Sequence, residues 1–217
     1  MKSTSFRKQS SSEEIANSIT HGIGAGLSIA ALVLLIVYSS IYGGIWHVVS
    51  FSIYGATLVI LYISSTLYHS FRNPRLKHIF HILDHSCIFL LIAGTYTPFT
   101  LVTLRGNGGW WIFGVIWGLA ISGIVLKAFF INKFRKLSVV IYIAMGWIIM
   151  FAMRPLIHNL PGMGLMWLLI GGLCYTGGIF FYAYKKIPFG HSLWHLFVLG
   201  GSISHFFSIF FYVLPRA

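Results

Sequence analysis

The chain has 217 residues, 57% of them hydrophobic and only 8% charged. Soluble domains carry roughly 25% charged residues, so this composition cannot cover a water-facing surface and excludes a soluble enzyme or secreted module. A formal net charge of +12 raises the question of nucleic acid, but the Lys and Arg residues are scattered through short loops between apolar stretches, and no nucleic-acid partner is expected.

The N-terminal stretch MKSTSFRKQSSSEE is polar. The apolar run after it lacks a small-residue cleavage site, so the first span is expected to be retained. Long apolar runs predict spans at 23–42, 46–68, 79–101, 110–130, 137–153, 163–184 and 192–214. Turn chemistry separates them: Gly43 and Gly44, Asn73 and Pro74, the glycine-rich stretch 106–109, Arg154 and Pro155, Pro161 and Gly162, and Pro188 and Gly190. The expected architecture is an all-α integral membrane bundle of seven helices over 21–217, preceded by a polar segment over 1–20. No room is left for a soluble domain, so any function sits inside the bundle. Cys87 and Cys174 fall in apolar segments and read as packing residues, not as a disulfide framework. Gly114, Gly118 and Gly123 in span four, and Gly171, Gly172, Gly177 and Gly178 in span six, predict close helix approach. Tyr96, Thr97 and Pro98 predict a kink in span three, because proline leaves an upstream carbonyl unpaired.

Basic residues set the expected orientation, since cytoplasmic loops carry the excess of Lys and Arg. One set of alternate ends holds Lys2, Arg7, Lys8, Arg72, Arg75, Lys77, Lys127, Lys133, Arg135, Lys136, Lys185 and Lys186; the other holds only Arg105, Arg154 and Arg216. The N-terminus is therefore expected inside and the C-terminus outside. That is opposite to G-protein-coupled receptors, so seven spans do not imply that class.

Ionisable residues within the spans are functional candidates by default. Of the 3 acidic residues, Glu13 and Glu14 lie in the N-terminal segment, and Asp84 sits about one turn into the third span. A structural alternative pairs Asp84 with Lys77 or Arg75 of the adjacent loop. The expected topology brings His21, His69, His78, His81, His85, His191 and His195 to or near the cytoplasmic ends, while His47 and His158 fall at the outer ends and His205 lies deeper in span seven. His191 and His195, spaced i, i+4, project from one helix face and can bind one ion. A lone pair at this spacing can equally snorkel to headgroups; its weight comes from sharing a depth with His69 and Asp84. Three nitrogen ligands with an open fourth position match a catalytic zinc. Asp84 is then a fourth ligand, a residue orienting water or histidine, or a general base. His81 and His85 share a helix face and are alternative ligands. Ser65 lies one turn before His69, where its hydroxyl either assists at the site or bonds its own i−4 carbonyl.

Four ordered motifs resemble a known family: EEIANSITHG with Glu14, Asn17 and His21; SSTLYHS with Ser65 and His69; HILDHSCIFLLIAGTYTPF with Asp84 and His85; and HSLWH with His191 and His195. Together they are similar to the bacterial haemolysin III proteins, of the superfamily that holds the progestin and adipoQ receptors, including the adiponectin receptors, and more distantly the alkaline ceramidases. The resemblance implies a seven-helix bundle with its N-terminus inside and a zinc ion near the cytoplasmic leaflet. It implies His69, His191 and His195 as ligands, Asp84 holding a water near the ion, and Ser65 close by.

Two classes of function follow. One is a zinc-dependent hydrolase acting on lipid amides or esters, ceramide-like amides being the natural substrates by analogy, with membrane lipids as its partners. The other is a non-enzymatic membrane protein whose zinc is structural or sensory, or a haemolysin of channel type. A receptor role rests on analogy alone, and the expected outer loops are too short for a protein-binding ectodomain.

Overall fold

A computed structural model describes residues 9–131, 133–184 and 186–215. Within them the chain is helical throughout, and 7 helices are long and apolar enough to cross a membrane. Lys2, Arg7, Lys8, Lys185 and Arg216 of the charge pattern lie outside the described residues, as do residues 1–8 of the polar segment. The helices are α1 (Ser11–Tyr42), α2 (Ile45–Ser70), α3 (Pro74–Pro98), α4 (Gly109–Phe130), α5 (Arg135–Trp147), α6 (Met153–Asn159), α7 (Gly162–Ala183) and α8 (Gly190–Ser208). The fifth span is composite: α5 and α6 are joined by a 3₁₀ turn, Ile148–Ala152.

Helix α1 starts at Ser11, well before the apolar run that begins near residue 23. A capping box explains this early start. The Ser10 hydroxyl accepts from Glu13 N at 3.2 Å, and the Glu13 carboxylate accepts from Ser10 N at 2.8 Å. Asn73 caps α3 by accepting from Arg75 N and Leu76 N, with Pro74 in the first helical position where its missing N–H is harmless.

Span three runs on past Pro98 as a π-helical turn over Phe99–Thr103. Tyr96 acts elsewhere. Its hydroxyl donates to Met145 O at 2.8 Å and accepts from Ile149 N at 2.9 Å, bonding the backbone where the fifth span passes from α5 into its 3₁₀ turn.

The closest helix pairs are α1 with α2, α2 with α3 and α7 with α8; α4 lies against α3, and α8 reaches α1. Helix α3 is the most enclosed span, while the fifth touches its neighbours sparsely. The core is a run of Leu58, Leu61, Tyr62, Leu91 and Val198 between α2, α3 and α8. Small residues let these helices meet. A Cβ on Gly94 of α3 would fall 2.1 Å from the Thr57 hydroxyl of α2. Of the glycines expected to pack, Gly123, Gly171 and Gly178 lie under Phe89, His205 and Trp194, but Gly114 and Gly118 face open space on the outer side of α4. Both cysteines are free.

Alternation of the spans places the start of α1, the end of α2, the starts of α3 and α8 and the end of α7 at one end of the bundle, the end rich in Lys and Arg. The expected histidines and Asp84 gather there.

Candidate metal centre

Helices α2 and α8 supply the three imidazoles. One ring nitrogen from each of His69, His191 and His195 lies within 4.8 Å of the other two. The ring centroids are 5.1 Å apart for His69 and His191, 5.1 Å for His69 and His195, and 4.6 Å for His191 and His195. The i, i+4 spacing within α8 accounts for the last of these. The first two are tertiary distances.

Hydrogen bonds from α1 orient two of the rings. His69 Nδ1 lies 2.6 Å from Glu14 Oε2. A carboxylate here accepts, so Nδ1 carries the proton and Nε2 keeps its lone pair. That Nε2 is buried with no hydrogen-bond partner. His195 Nδ1 lies 3.2 Å from the carbonyl of Asn17 and 3.2 Å from the Thr20 hydroxyl. A carbonyl accepts only, so His195 is again protonated on Nδ1 and basic on Nε2. Fixing one ring nitrogen to free the other is how proteins prepare imidazole for a metal. Zinc, which favours nitrogen donors, suits a set of three imidazoles.

Helix α1 also fixes the frame around the group. Glu14 Oε1 accepts from Lys77 Nζ at 2.7 Å, which ties α1 to α3. The Asn17 side-chain carbonyl accepts from Ser192 at 2.6 Å. The Glu13 carboxylate accepts from Phe189 N at 2.9 Å, at a residue whose φ of 56° is uncommon for a bulky side chain. That bond steadies the turn from which α8 projects both its histidines. His21 lies flat on His195, with centroids 3.5 Å apart and planes 12° off parallel, and meets the edge of Tyr62.

Asp84 and Ser65 flank the histidines. Asp84 is buried, and its Oδ2 lies 3.3 Å from His85 Nδ1. Lys77, one of its two expected structural partners, pairs with Glu14. No Asp84 oxygen belongs to the tight group of three nitrogens, although Asp84 interacts electrostatically with His69. Ser65 is fully buried and lies beside the Asp84 carboxylate. Its hydroxyl makes no bond to its own i−4 carbonyl, unlike Thr66 and Ser70 in the same helix. His81 and His85 stay apart from the group: His81 stacks on Tyr68, and His85 Nδ1 serves Asp84 and the His81 carbonyl.

A cavity of about 310 Å³ opens beside this cluster, between α3, the fifth span, α7 and α8. Its walls are almost wholly apolar, with Leu61, Leu91, Met153 and Leu168 among them. Tyr182 and Trp194 stand at its near end, the Tyr182 ring 6.1 Å from that of His191.

Reading the residues one by one missed Glu13, Glu14, Asn17, Thr20 and His21 as parts of the site. The signal was present: Glu14, Asn17 and His21 fall at i, i+3 and i+7, one face of a helix. That face is polar in a segment that continues into a membrane span.

Comparison with known proteins is consistent across the chain. The family model described as "Haemolysin-III related" matches residues 9–206. Hemolysin-3 of Bacillus cereus is 55% identical over 205 residues, 94% of each chain. The Hemolysin-3 homolog of Bacillus subtilis (strain 168) is 51% identical over 200 residues, 92% of this chain and 94% of that one. The human monocyte to macrophage differentiation factor is 30% identical over 212 residues, 93% of this chain and 84% of the relative.

Replacing Glu14 with alanine frees the His69 ring and its tautomer. Zinc affinity of the purified protein, titrated against a competing chelator, is expected to fall about 10–100-fold. Ser18→Ala, which removes an exposed bond to Ser70, is expected to leave it unchanged. Equal affinities for all three proteins would mean that Glu14 does not orient a ligand.

Proposed function

This chain belongs to the haemolysin-III-related family and is a multi-pass protein of the bacterial cell membrane, and from that premise we propose that it is a zinc-dependent hydrolase of lipid amides or esters. The observation that supports this reading is a juxtaposition: three imidazoles, with a carboxylate and a hydroxyl beside them, lie next to Tyr182 of an apolar cavity's wall, whose ring is 6.1 Å from that of His191. A structural zinc site is closed by four protein ligands, whereas this group offers three.

His69, His191 and His195 would hold the ion. Bound zinc would supply a Lewis acid that makes water acidic near neutral pH. The remaining chemistry belongs to the chain. Asp84 accepts the proton of the attacking water and later returns it to the leaving amine or alcohol, the general acid–base role of a carboxylate. His85 holds the Asp84 carboxylate in place during both transfers. The Ser65 hydroxyl can donate to an oxygen that gains negative charge during attack. The cavity receives the acyl chain and holds it by burial of apolar surface. Buried Leu and Tyr side chains around the site restrict water to the basic end.

The charge pattern supports an orientation with the basic end facing the cytoplasm, in which the chemistry would lie in the inner leaflet. In a variant lacking Cys87 and Cys174, a single cysteine at Arg72 is expected to react with an impermeant thiol reagent only after cells are permeabilised. One at Asn107 is expected to react in intact cells. The reverse pattern would overturn the orientation.

A second reading comes from the relatives named Hemolysin-3, in which the bundle perturbs or permeates membranes. Planar-bilayer recording separates the two, because stepwise currents without lipid turnover favour permeation. Incubating the purified protein with ceramides and other acyl lipids is expected to release fatty acid, with chelator abolishing release. Asp84→Asn is expected to slow release at least ~100-fold while keeping its zinc. No metal-dependent release from any lipid class would sink the hydrolase reading.

A further inference from the structure

His205 lies further along α8 than the metal centre, about 15 Å beyond His195 at the rise of a helix. It lines the far part of the same cavity and is 92% buried, with 8% of its surface exposed. Gly171 of α7 makes room for it: a Cβ there would fall 2.2 Å from the ring's Cδ2 and 2.3 Å from its Nε2. The close approach brings His205 Nε2 to 3.1 Å from the Leu168 carbonyl. Because a carbonyl only accepts, Nε2 carries the ring proton. A neutral imidazole protonated there presents Nδ1 as a lone-pair acceptor, and this Nδ1 is buried with no hydrogen-bond partner.

Other polar groups on the cavity wall are already committed. Thr95 and Thr176 donate to the carbonyls of Leu91 and Gly172. The hydroxyls of Tyr96 and Tyr142 donate to Met145 O and His85 O. The Tyr175 hydroxyl bonds Ser202 at 2.8 Å. An unmatched acceptor inside a membrane bundle is costly, and here the hydrogen bond to Leu168 sets its tautomer. A water is a poor match, since a buried water needs two to four polar partners and the neighbouring hydroxyls are engaged. A single O–H on an otherwise apolar body matches both the lone pair and the wall.

We propose that the cavity takes a lipid chain carrying a hydroxyl group along its length, and that this hydroxyl donates to His205 Nδ1. The inference rests on the reading that the cavity receives a lipid chain, and it adds the specificity. His205 is a specificity-determining residue, remote from the chemistry, that distinguishes hydroxylated from plain chains.

Equilibrium binding tests this without turnover. Stearic acid, mid-chain hydroxystearic acid and its methyl ether are used to displace a fluorescent fatty acid from the purified full-length protein in detergent. The hydroxy acid is expected to bind about tenfold more tightly than stearic acid, the worth of one net hydrogen bond. The methyl ether, which keeps the oxygen but cannot donate, is expected to lose that advantage in the wild type. His205→Phe is expected to bind the hydroxy acid no more tightly than stearic acid, with its zinc content unchanged. Equal affinity for the hydroxy acid and stearic acid in the wild type, or a preference that survives either the methyl ether or His205→Phe, would overturn the proposal. If stearic acid itself fails to displace the probe, the lipid-cavity reading falls and the proposal with it.

Discussion

Inside a membrane bundle a polar atom has no water to bond, so each must find a partner or be held unpaired at a cost of several kcal/mol in hydrocarbon. The protein meets this demand almost everywhere by local means, with Ser and Thr hydroxyls bonded to carbonyls one turn back, as at Thr66, Ser122 and Ser204. It departs from that economy around His69. There the Glu14 carboxylate takes one ring nitrogen and leaves the other buried and unbonded, facing two further imidazoles. Holding those nitrogens ready is the constraint from which the rest of the site follows.

The clamp that maintains it is the start of α1. Glu13, Glu14, Asn17 and Thr20 reach the turn into α8, the end of α2, the start of α3 and the His195 ring. This accounts for the extension of a membrane helix into a polar sequence. The first turns of α1 bond to three other helices, α2, α3 and α8. By contrast the fifth span, broken by a 3₁₀ turn and held to α3 through the Tyr96 hydroxyl, borders the cavity with few neighbours. The bundle thus sets a rigid polar end beside a loosely walled apolar chamber, an arrangement suited to presenting a lipid to a fixed reactive group.

What could be read in the sequence was whatever depends on local period and composition. Apolar run length marked every span, and the i, i+4 pair His191 and His195 was visible because both residues sit on one helix. Depth was also legible, since alternating spans fix which ends come together, and this brought His69 and Asp84 to the same level as that pair. Cross-helix pairing was not. Lys77 was an equal candidate for Asp84 by proximity in sequence, yet it bonds Glu14, and His85 takes its place. The start of α1 was hidden because hydropathy follows lipid contact, whereas this start is fixed by a capping box and by bonds to other helices. The 3₁₀ break in the fifth span has no proline or glycine signature at its centre; at its start Ile149 N donates to a tyrosine far away in the chain. The orphan nitrogen of His205 depends on the approach of α7 at Gly171, again a tertiary fact.

Imidazoles from α2 and α8 would share a single metal ion. Metal analysis of the purified wild type beside His191→Ala, each checked for monodisperse elution from detergent, tests it most directly. The account predicts zinc in the wild type at about one ion per chain and its loss from the variant, as expected when one of three protein ligands is removed. Equal metal content in both proteins would place the ion elsewhere and contradict the account.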